Sequence, residues 1–570
     1  MWLRDIILKW ALKNAIDHKG KALTKAVIAK AIGEKPDLRK NMQQLKIAVE
    51  EVVKKVNQLT HEQQKNKLRK HAPELLQERI TKERELPPLP KAKKGKVVTR
   101  LPPEPSGYMH LGHAMSFTIN FLYAKRYDGK IWLRFEDTDP RKVYKKYYRN
   151  FKQGLHWLEI DWDYEKNNSD SMSQYYMYAK TLVKLGQAYT CTCQVENLRK
   201  KRGEGLECIH RTRDVSTNLH ELEYLLSGKD DSEKRVLRLK GDMKSQNKVM
   251  RDPVLLRTIR HRHPMTGDKY SVWPTYDFAV AIEDAICNIT HVLRSSEFVP
   301  REELQNRIRT LLGFRNPIFI TYARFNFKGT PVSKRKIRTL ISKGFVPSWN
   351  DPRLPTIDGI KRRGIVPKAI REFTVKYAAL THSRKEYDWN LLFPINRRLL
   401  DPNSKRYFFV PNPVKLSVKE SPHRTVLLNN HPREKMGQRE INVNGEFYIS
   451  KKDAVTINKN QVIRLMGAYN VIIEKVNQMR VEASYHSEEI RSKMPKIQWV
   501  TNENIKTNIQ IPDMLFKNSH FNENSLTLLH GFAERAARNI VIGEIIQFER
   551  IGFCRLDSKN SGLNFILAHK

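Results

Sequence analysis

Long apolar runs are missing from this chain of 570 residues: nowhere do 18 or more apolar residues follow one another. A membrane-spanning helix is therefore not expected, and no membrane partner either. Cysteine is scarce. The five present are unevenly spaced, which speaks against a disulfide scaffold and for a reducing, cytoplasmic setting. Acidic residues are too few to balance the basic ones: 61 aspartates and glutamates face 104 lysines and arginines, a net charge of +43. That excess goes beyond what solubility requires and points to a polyanionic partner. The basic residues are spread among apolar, foldable segments. The opening stretch, MWLRDIILKWALKNAIDHKG, is too charged for a signal-peptide core, and its apolar residues fit one helix face. The length allows several domains of ordinary size.

What is present is organised around Leu101 to His113, LPPEPSGYMHLGH. The β-branched run Val97-Val98-Thr99 precedes it, and Ala114, Phe117, Phe121 and Ala124 follow at helical spacing. The stretch is thus a strand-to-helix turn. Pro102, Pro103, Pro105 and Gly107 break regular structure, and Gly112 lets another group approach the backbone. His110 and His113 share a face of the first helical turn, where a helix N-terminus favours phosphate oxygens. The run TRLPPEPSGYMHLGH resembles the HIGH signature of class I aminoacyl-tRNA synthetases in its glutamyl and glutaminyl form. That resemblance implies an α/β fold: a Rossmann-type parallel-sheet catalytic domain with an inserted acceptor-binding domain, an N-terminal helical domain and C-terminal β-barrel anticodon-binding domains. It also implies ATP as substrate, with Mg²⁺, and His110, Gly112 and His113 at the nucleotide.

Residues 1–90 read as a helical domain. Pro36-Asp37 starts one helix, with Asp37 as its N-cap, and Leu38, Met42, Leu45, Val49, Val52, Val56 and Leu59 recur at helical spacing. This part resembles the N-terminal extension of archaeal glutamyl-tRNA synthetases. Leu86-Pro87-Pro88-Leu89-Pro90 and then Lys91–Gly95 read as a stiff, then solvated, linker. Residues 96–190 form the first half of the catalytic domain. The buried strand Ile131–Phe135 ends in Glu136-Asp137-Thr138-Asp139-Pro140. Arg100 and Glu136 stand at strand ends, which face the crevice of an open parallel sheet. RFEDTDP resembles a family motif, and the resemblance implies that Glu136 pairs with the substrate ammonium. Asp139 reads as a surface acid and helix cap.

Cys191-Thr192-Cys193 and Cys208-Ile209-His210 are separated by 14 residues. Zinc takes four Cys or His ligands tetrahedrally, and two close pairs can supply them. Residues 191–270 are assigned to the acceptor-end domain with this zinc knuckle, and Arg199, Lys200, Lys201, Arg202, Arg211 and Arg213 crowd the loop. Residues 271–345 return to the catalytic fold. WPTYDFAV and ITHVLRSSEF resemble the motifs lining the amino-acid pocket, which implies that Tyr276 and Arg294 face the substrate side chain. A buried guanidinium pairs with a carboxylate but has no anion to meet in an amide. An uncompensated buried partner costs about 3–5 kcal/mol, on the order of a few hundred- to a few thousand-fold preference for glutamate over glutamine. Thr330-Pro331-Val332-Ser333-Lys334-Arg335-Lys336 resembles the KMSKS loop, with Pro331 in place of its first lysine and Val332 in place of methionine. Ser333 and Lys334 match its tail, and the resemblance implies that both are catalytic, closing over the leaving pyrophosphate of ATP.

Residues 346–390 resemble a helical stem-contact segment. Residues 391–570 change to short β-type runs, including Tyr407 to Val410 and Ile497 to Val500, with Ile546 to Ser558 as the closing strand region. These resemble the anticodon-reading barrels of glutaminyl and archaeal-type glutamyl enzymes. The expected activity is attachment of L-glutamate to tRNA-Glu through glutamyl-adenylate, with tRNA-Gln also charged and an amidotransferase acting downstream. A glutaminyl-tRNA synthetase or a non-catalytic tRNA-binding paralogue are the alternatives. Arg294 argues against the first, and intact HLGH and Ser333-Lys334 argue against the second.

Overall fold

The computed structural model describes residues 2–18, 20–75, 85–230, 234–331, 333–382, 386–477, 480–490 and 494–570. Val332 and residues 76–84, covered by expectations above, lie outside them. Two compact units are present, Met1–Glu85 and Leu86–Lys570.

The first unit packs the helices Trp2–Asp17, Thr24–Glu34, Met42–Asn57 and His61–His71 around Ile7, Ala11, Leu12, Val27, Val49 and Leu68. The third helix does not start at Asp37. Pro36–Asn41 winds as a 3-10 turn and the α-helix begins at Met42. Three residues per turn shift the phase of the apolar stripe. Met42 is accordingly exposed, whereas Leu45, Val49, Val52 and Val56 are buried.

The second unit opens with a strap rather than a linker. Leu86 and Leu89 are buried in the catalytic core. Tyr123 Oη donates to Pro87 O at 2.8 Å, and Leu89 N–H donates to Tyr127 Oη at 3.0 Å. Prolines stiffen this stretch, but its two leucines find an apolar surface and bind it down.

Strands Val98–Leu101, Lys130–Phe135 and Tyr164–Asn167 pair in parallel, as do His291–Ser295 and Ile318–Tyr322. Thr290 joins the two groups: its N–H donates to Val98 O at 3.0 Å, and its Oγ1 accepts from Val98 N–H at 2.8 Å. Strand order therefore reverses beside Val98–Leu101, the place where a crevice opens in such sheets. Between the halves lies an antiparallel sheet of Ala188–Cys191, Val236–Leu239, Val254–Thr258 and Val272–Pro274. Asp139 is not a surface acid. It is buried and pairs with Arg141 (2.9 Å), Lys142 (3.0 Å) and, from the inserted sheet, Arg257 (3.3 Å).

Helix continues past residue 391, through Trp389–Leu400, with Pro394 inside it. Internal proline hides such a helix from pattern reading. Two seven-stranded sheets follow. Tyr407 to Val410 and Ile497 to Val500 are each split. Arg406–Tyr407 and Phe409–Pro411 form the two edges of one sheet, and Lys496–Ile497 and Trp499–Thr501 the two edges of the other. Chain that pairs at both edges closes a sheet on itself and removes its free edges. The closing region expected at Ile546 to Ser558 is a hairpin, Ile545–Phe548 with Gly552–Ser558, and the last strand is Leu563–His569.

Candidate active site

The crevice beside Val98–Leu101 is a cavity of about 320 Å³, lined by Arg100, His110, Gly112, His113, Glu136, Tyr276, Arg294 and Lys334 among others. Ser333 does not line it. It lines a separate groove of about 980 Å³ with Thr330, Arg335 and Lys336.

His110 caps the helix Leu111–Arg126. His113 N–H donates to His110 Nδ1 at 3.4 Å, and His110 N–H donates to His113 Nδ1 at 3.3 Å. Both Nδ1 atoms are thus acceptors, which leaves the proton of each neutral ring on Nε2. The rings stack with centroids 3.7 Å apart. Burial, then the Lys334 and Arg324 cations, pull His110 down to about 3. Burial, then His110 and Lys334, hold His113 well below the usual imidazole range. The turn therefore presents neutral N–H donors beside a helix N-terminus. Thr356 and its neighbours clamp it from the segment after the loop: Leu111 N–H donates to Pro355 O (2.8 Å) and Ile357 N–H to Met109 O (2.9 Å).

Lys334 reaches the same turn from the far end of the domain. Its Nζ donates to Ser106 Oγ at 2.8 Å and stands 3.7 Å from Glu104 Oε2. A Cβ on Gly107 would lie 2.7 Å from Lys334 Cδ. Gly107 is thus where the close approach happens, and the lysine stem fills the space a side chain would take. Burial lowers the Lys334 ammonium from its ordinary value, against the pull of Glu104. The loop is anchored outside the catalytic sheet. Phe516 N–H donates to Gly329 O at 3.0 Å, and Gly329 has φ +63°.

The cavity floor is built on Asp284, which the sequence reading missed. This fully buried carboxylate accepts from Arg100 Nε (3.0 Å), Arg134 Nη1 (2.8 Å) and Arg309 Nη2 (3.1 Å). Burial alone would raise it, but the three guanidiniums outweigh burial and hold it well below the usual carboxylate range. Arg100 is thereby fixed with its Nη1 free of any hydrogen-bond partner among the described residues. Glu136 stands 3.4 Å from Arg134 Nη2. Burial pushes it up to about 7, against Arg134 and Arg100. The sequence signal for Asp284 was only an acid on the apolar helix Tyr276–Ile286, a residue type seldom buried without partners.

Arg294 ends the strand His291–Ser295 and is 6 % exposed. Its Nη1 donates to Gln305 Oε1 at 2.9 Å. Nε and Nη2 have no hydrogen-bond partner among the described residues. Such buried donors, on the wall of a cavity, fit an arriving carboxylate. Tyr276 lies beside Phe298, with ring centroids 5.7 Å apart.

In the inserted domain Cys191, Cys193, Cys208 and His210 converge, their ligand atoms all within 4.8 Å of one another. Cys193 Sγ lies 3.3 Å from Cys208 Sγ and 3.3 Å from His210 Nδ1, and Cys191 Sγ lies 3.6 Å from Cys208 Sγ. Bonds of about 2.3 Å to sulfur and about 2.0 Å to nitrogen around a tetrahedral ion imply ligand separations of this size, so the donor set fits zinc. Some of the crowding arginines have structural partners. Arg202 Nε donates to Arg251 O (2.8 Å), and Arg211 pairs with Glu207 (2.7 Å) and Asp252 (3.2 Å).

Residues 96–402 match the family model "tRNA synthetases class I (E and Q), catalytic domain". Residues 404–486 and 496–557 match its two anti-codon binding domain models. The chain is 41 % identical to the glutamate–tRNA ligase of Nitrosopumilus maritimus, covering 100 % of this chain and 99 % of that one. Identity is 40 % to the ligase of the same name from Korarchaeum cryptofilum, over 100 % and 99 %. It is 38 % to that of Pyrococcus furiosus, over 100 % of both. A solved glutamate tRNA ligase from Elizabethkingia meningosepticum aligns at a TM-score of 0.40 and 22 % identity, over 54 % of this chain and 70 % of that one, and bears no weight beside these. With the catalytic model covering more than half its length and relatives aligned end to end, this chain belongs to the class I tRNA synthetases of the E and Q family.

Proposed function

We propose that this chain is a glutamate–tRNA ligase that activates L-glutamate with ATP and transfers it to tRNA-Glu. The single observation that carries the choice of amino acid is Arg294: a buried guanidinium on the cavity wall whose Nε and Nη2 make no hydrogen bond among the described residues. A carboxylate can accept from two guanidinium donors and brings a charge, whereas an amide offers one oxygen and none.

The glutamate α-carboxylate attacks the α-phosphorus of ATP in line, and pyrophosphate leaves. The carboxylate is already nucleophilic, so this step needs positioning and charge stabilisation, not a base. Glu136 pairs with the α-ammonium, Arg100 and Arg294 hold carboxylate oxygens, and Tyr276 walls the pocket. His110 and His113 donate from Nε2 to phosphate oxygens beside the helix N-terminus. Gly112 leaves room for the nucleotide. Lys334 swings from Ser106 onto the departing pyrophosphate. Ser333, on the groove side, opens its helix. Mg²⁺ bound with ATP would supply further neutralisation of phosphate charge. A terminal ribose 2′-hydroxyl of the tRNA then attacks the mixed anhydride and AMP leaves. The net charge of +43 supports a tRNA partner.

Zinc held by Cys191, Cys193, Cys208 and His210 is a structural part of the acceptor-end domain. Substitution of Cys208 by serine should release it, measured as zinc per chain by elemental analysis; equal zinc in both proteins would reject the site. We further propose that tRNA-Gln is charged as well, a product that an amidotransferase would correct, and that the enzyme works in the cytoplasm. Among the described residues no helix is long and apolar enough to cross a membrane. The deciding experiment is aminoacylation with labelled glutamate and labelled glutamine on purified tRNA-Glu and tRNA-Gln. Glutamate should be attached to both. Attachment of glutamine would overturn the main reading, and glutamylation of tRNA-Glu alone would remove the second substrate.

A further inference from the structure

We propose that Gln305 is a positioning residue for amino-acid selection: a neutral acceptor, locked in one orientation, that holds Arg294 without adding a further negative charge beside it. The inference rests on Arg294 reading the side-chain carboxylate of the substrate. Gln305 is fully buried on the helix Val299–Leu311. Its Nε2 donates to Asp277 Oδ1 at 3.0 Å, and its Oε1 accepts from Arg294 Nη1 at 2.9 Å. An amide has one donor end and one acceptor end, and an ionised carboxylate only accepts. Asp277 therefore fixes the amide, and the oxygen must face Arg294.

One carboxylate already pairs with Arg294, and the rest of the bridge adds no second negative charge beside it. Asp277 is paired with Arg301 through its other oxygen. Phe319 packs against the guanidinium, 4.6 Å from ring centroid to Cζ, and contributes no charge. The nearest carboxylate, Glu302, stands 3.5 Å from Arg294 Nη2, with its Oε1 making no hydrogen bond among the described residues. A glutamate at position 305 could meet the same nitrogen but would add a second carboxylate beside Glu302 and compete with that of the substrate. A side chain without an acceptor would release the guanidinium from its fixed angle.

The test is ATP–pyrophosphate exchange by the full chain, with tRNA present, for glutamate and glutamine separately. Gln305→Glu and the volume-matched Gln305→Met should each raise KM for glutamate roughly 10- to 100-fold, the span of a charge-assisted hydrogen bond, with kcat changed far less. The glutamate-to-glutamine ratio of kcat/KM should fall with it. Asp277→Asn, which lets the amide turn over, should give a smaller shift in the same direction. It keeps the test open should a substitution at the fully buried position 305 prevent folding. Folded variants with unchanged KM and unchanged ratio would overturn the proposal, as would a loss confined to kcat. Arg294→Met separates the two levels. If it abolishes glutamate preference while the Gln305 variants do not, only the role of Gln305 fails. If it keeps that preference, the reading of Arg294 fails first.

Discussion

The HLGH turn and the Ser333-Lys334 loop meet at one cavity but are held there in different ways. The turn caps itself, and the segment around Thr356 clamps it from outside. His110 and His113 cap each other's backbone across three positions, and the strand before and helix after are local. The loop is held from a distance. Gly329 is bonded to Phe516 of the C-terminal β region, and Lys334 lies along Gly107, more than two hundred residues earlier in the chain. A cap closed within four residues persists when remote parts shift. An element tied at both ends to remote parts changes when either anchor moves. The pair thus combines a self-capped turn, the proposed phosphate cradle, with a lysine whose reach depends on the rest of the fold.

Removing the lysine should have the largest effect. On the proposed mechanism Lys334→Ala removes the donor that meets the leaving pyrophosphate and should lower the activation rate roughly 10²–10³-fold, read by pyrophosphate exchange. A loss below threefold would separate the loop from the chemistry. Gly329→Ala attacks only the remote anchor. The residue has φ +63°, and an added Cβ would sit 2.5 Å from Phe516 O. The strain should cost about 1–3 kcal/mol and reduce kcat about tenfold, with the HLGH side untouched. Unchanged melting and unchanged kcat would show that the anchor is dispensable.

The floor between the two elements should respond to pH. Glu136 is raised to about 7, and its ionised form is the one that pairs with an ammonium. KM for glutamate should therefore rise as pH falls below 7, approaching tenfold per unit, while kcat at saturation changes little. A flat KM from pH 8 to 5.5, or the same slope in Glu136→Gln, would remove the ammonium pairing.

The smallest effects test the turn itself. His110→Asn keeps a good N-cap and should change stability by no more than about 0.5 kcal/mol, whereas His110→Ala should lose about 1 kcal/mol. Both lose the Nε2 donor, so exchange activity should fall alike in the two. The imidazole is depressed in the folded chain to about 3, below its ordinary 6.5. Its contribution is therefore complete above pH 6.5 and is lost as pH falls toward 3. The stability difference between the wild type and His110→Asn, followed by denaturant titration, should move against the wild type over that window. No movement would mean that the ring is not buried as described.

Much of this was legible in residue order because it is local. Alternating β-branched runs, a Pro- and Gly-rich turn and the helical spacing after His113 need only short-range periodicity to be read. The four residues of the knuckle were legible for the same reason: two close pairs of soft ligands carry their own signal. Asp284 and Gln305 were not. Asp284 follows Glu283 on a mostly apolar helix and Gln305 is one of many polar residues on its own, and nothing nearby in sequence says that three arginines or one guanidinium will converge on either. Asp139 was misread on the same grounds, since its partner Arg257 comes from the inserted sheet. The strap at Leu86–Pro90 shows the limit from the other side. Proline stiffness was visible, but the surface that receives its leucines is made by residues far along the chain.

The order of amino acids alone determined the family motifs, the strand-to-helix turn, the basic character and the change from helical to β-rich patterning, because each depends on spacing within one or two turns. Only the tertiary structure decided which end of the Gln305 amide faces Arg294, that Gly107 admits Lys334, and that Tyr407 to Val410 spans two sheet edges. Those facts depend on distances between parts of the chain whose separation in sequence carries no length information once it has folded.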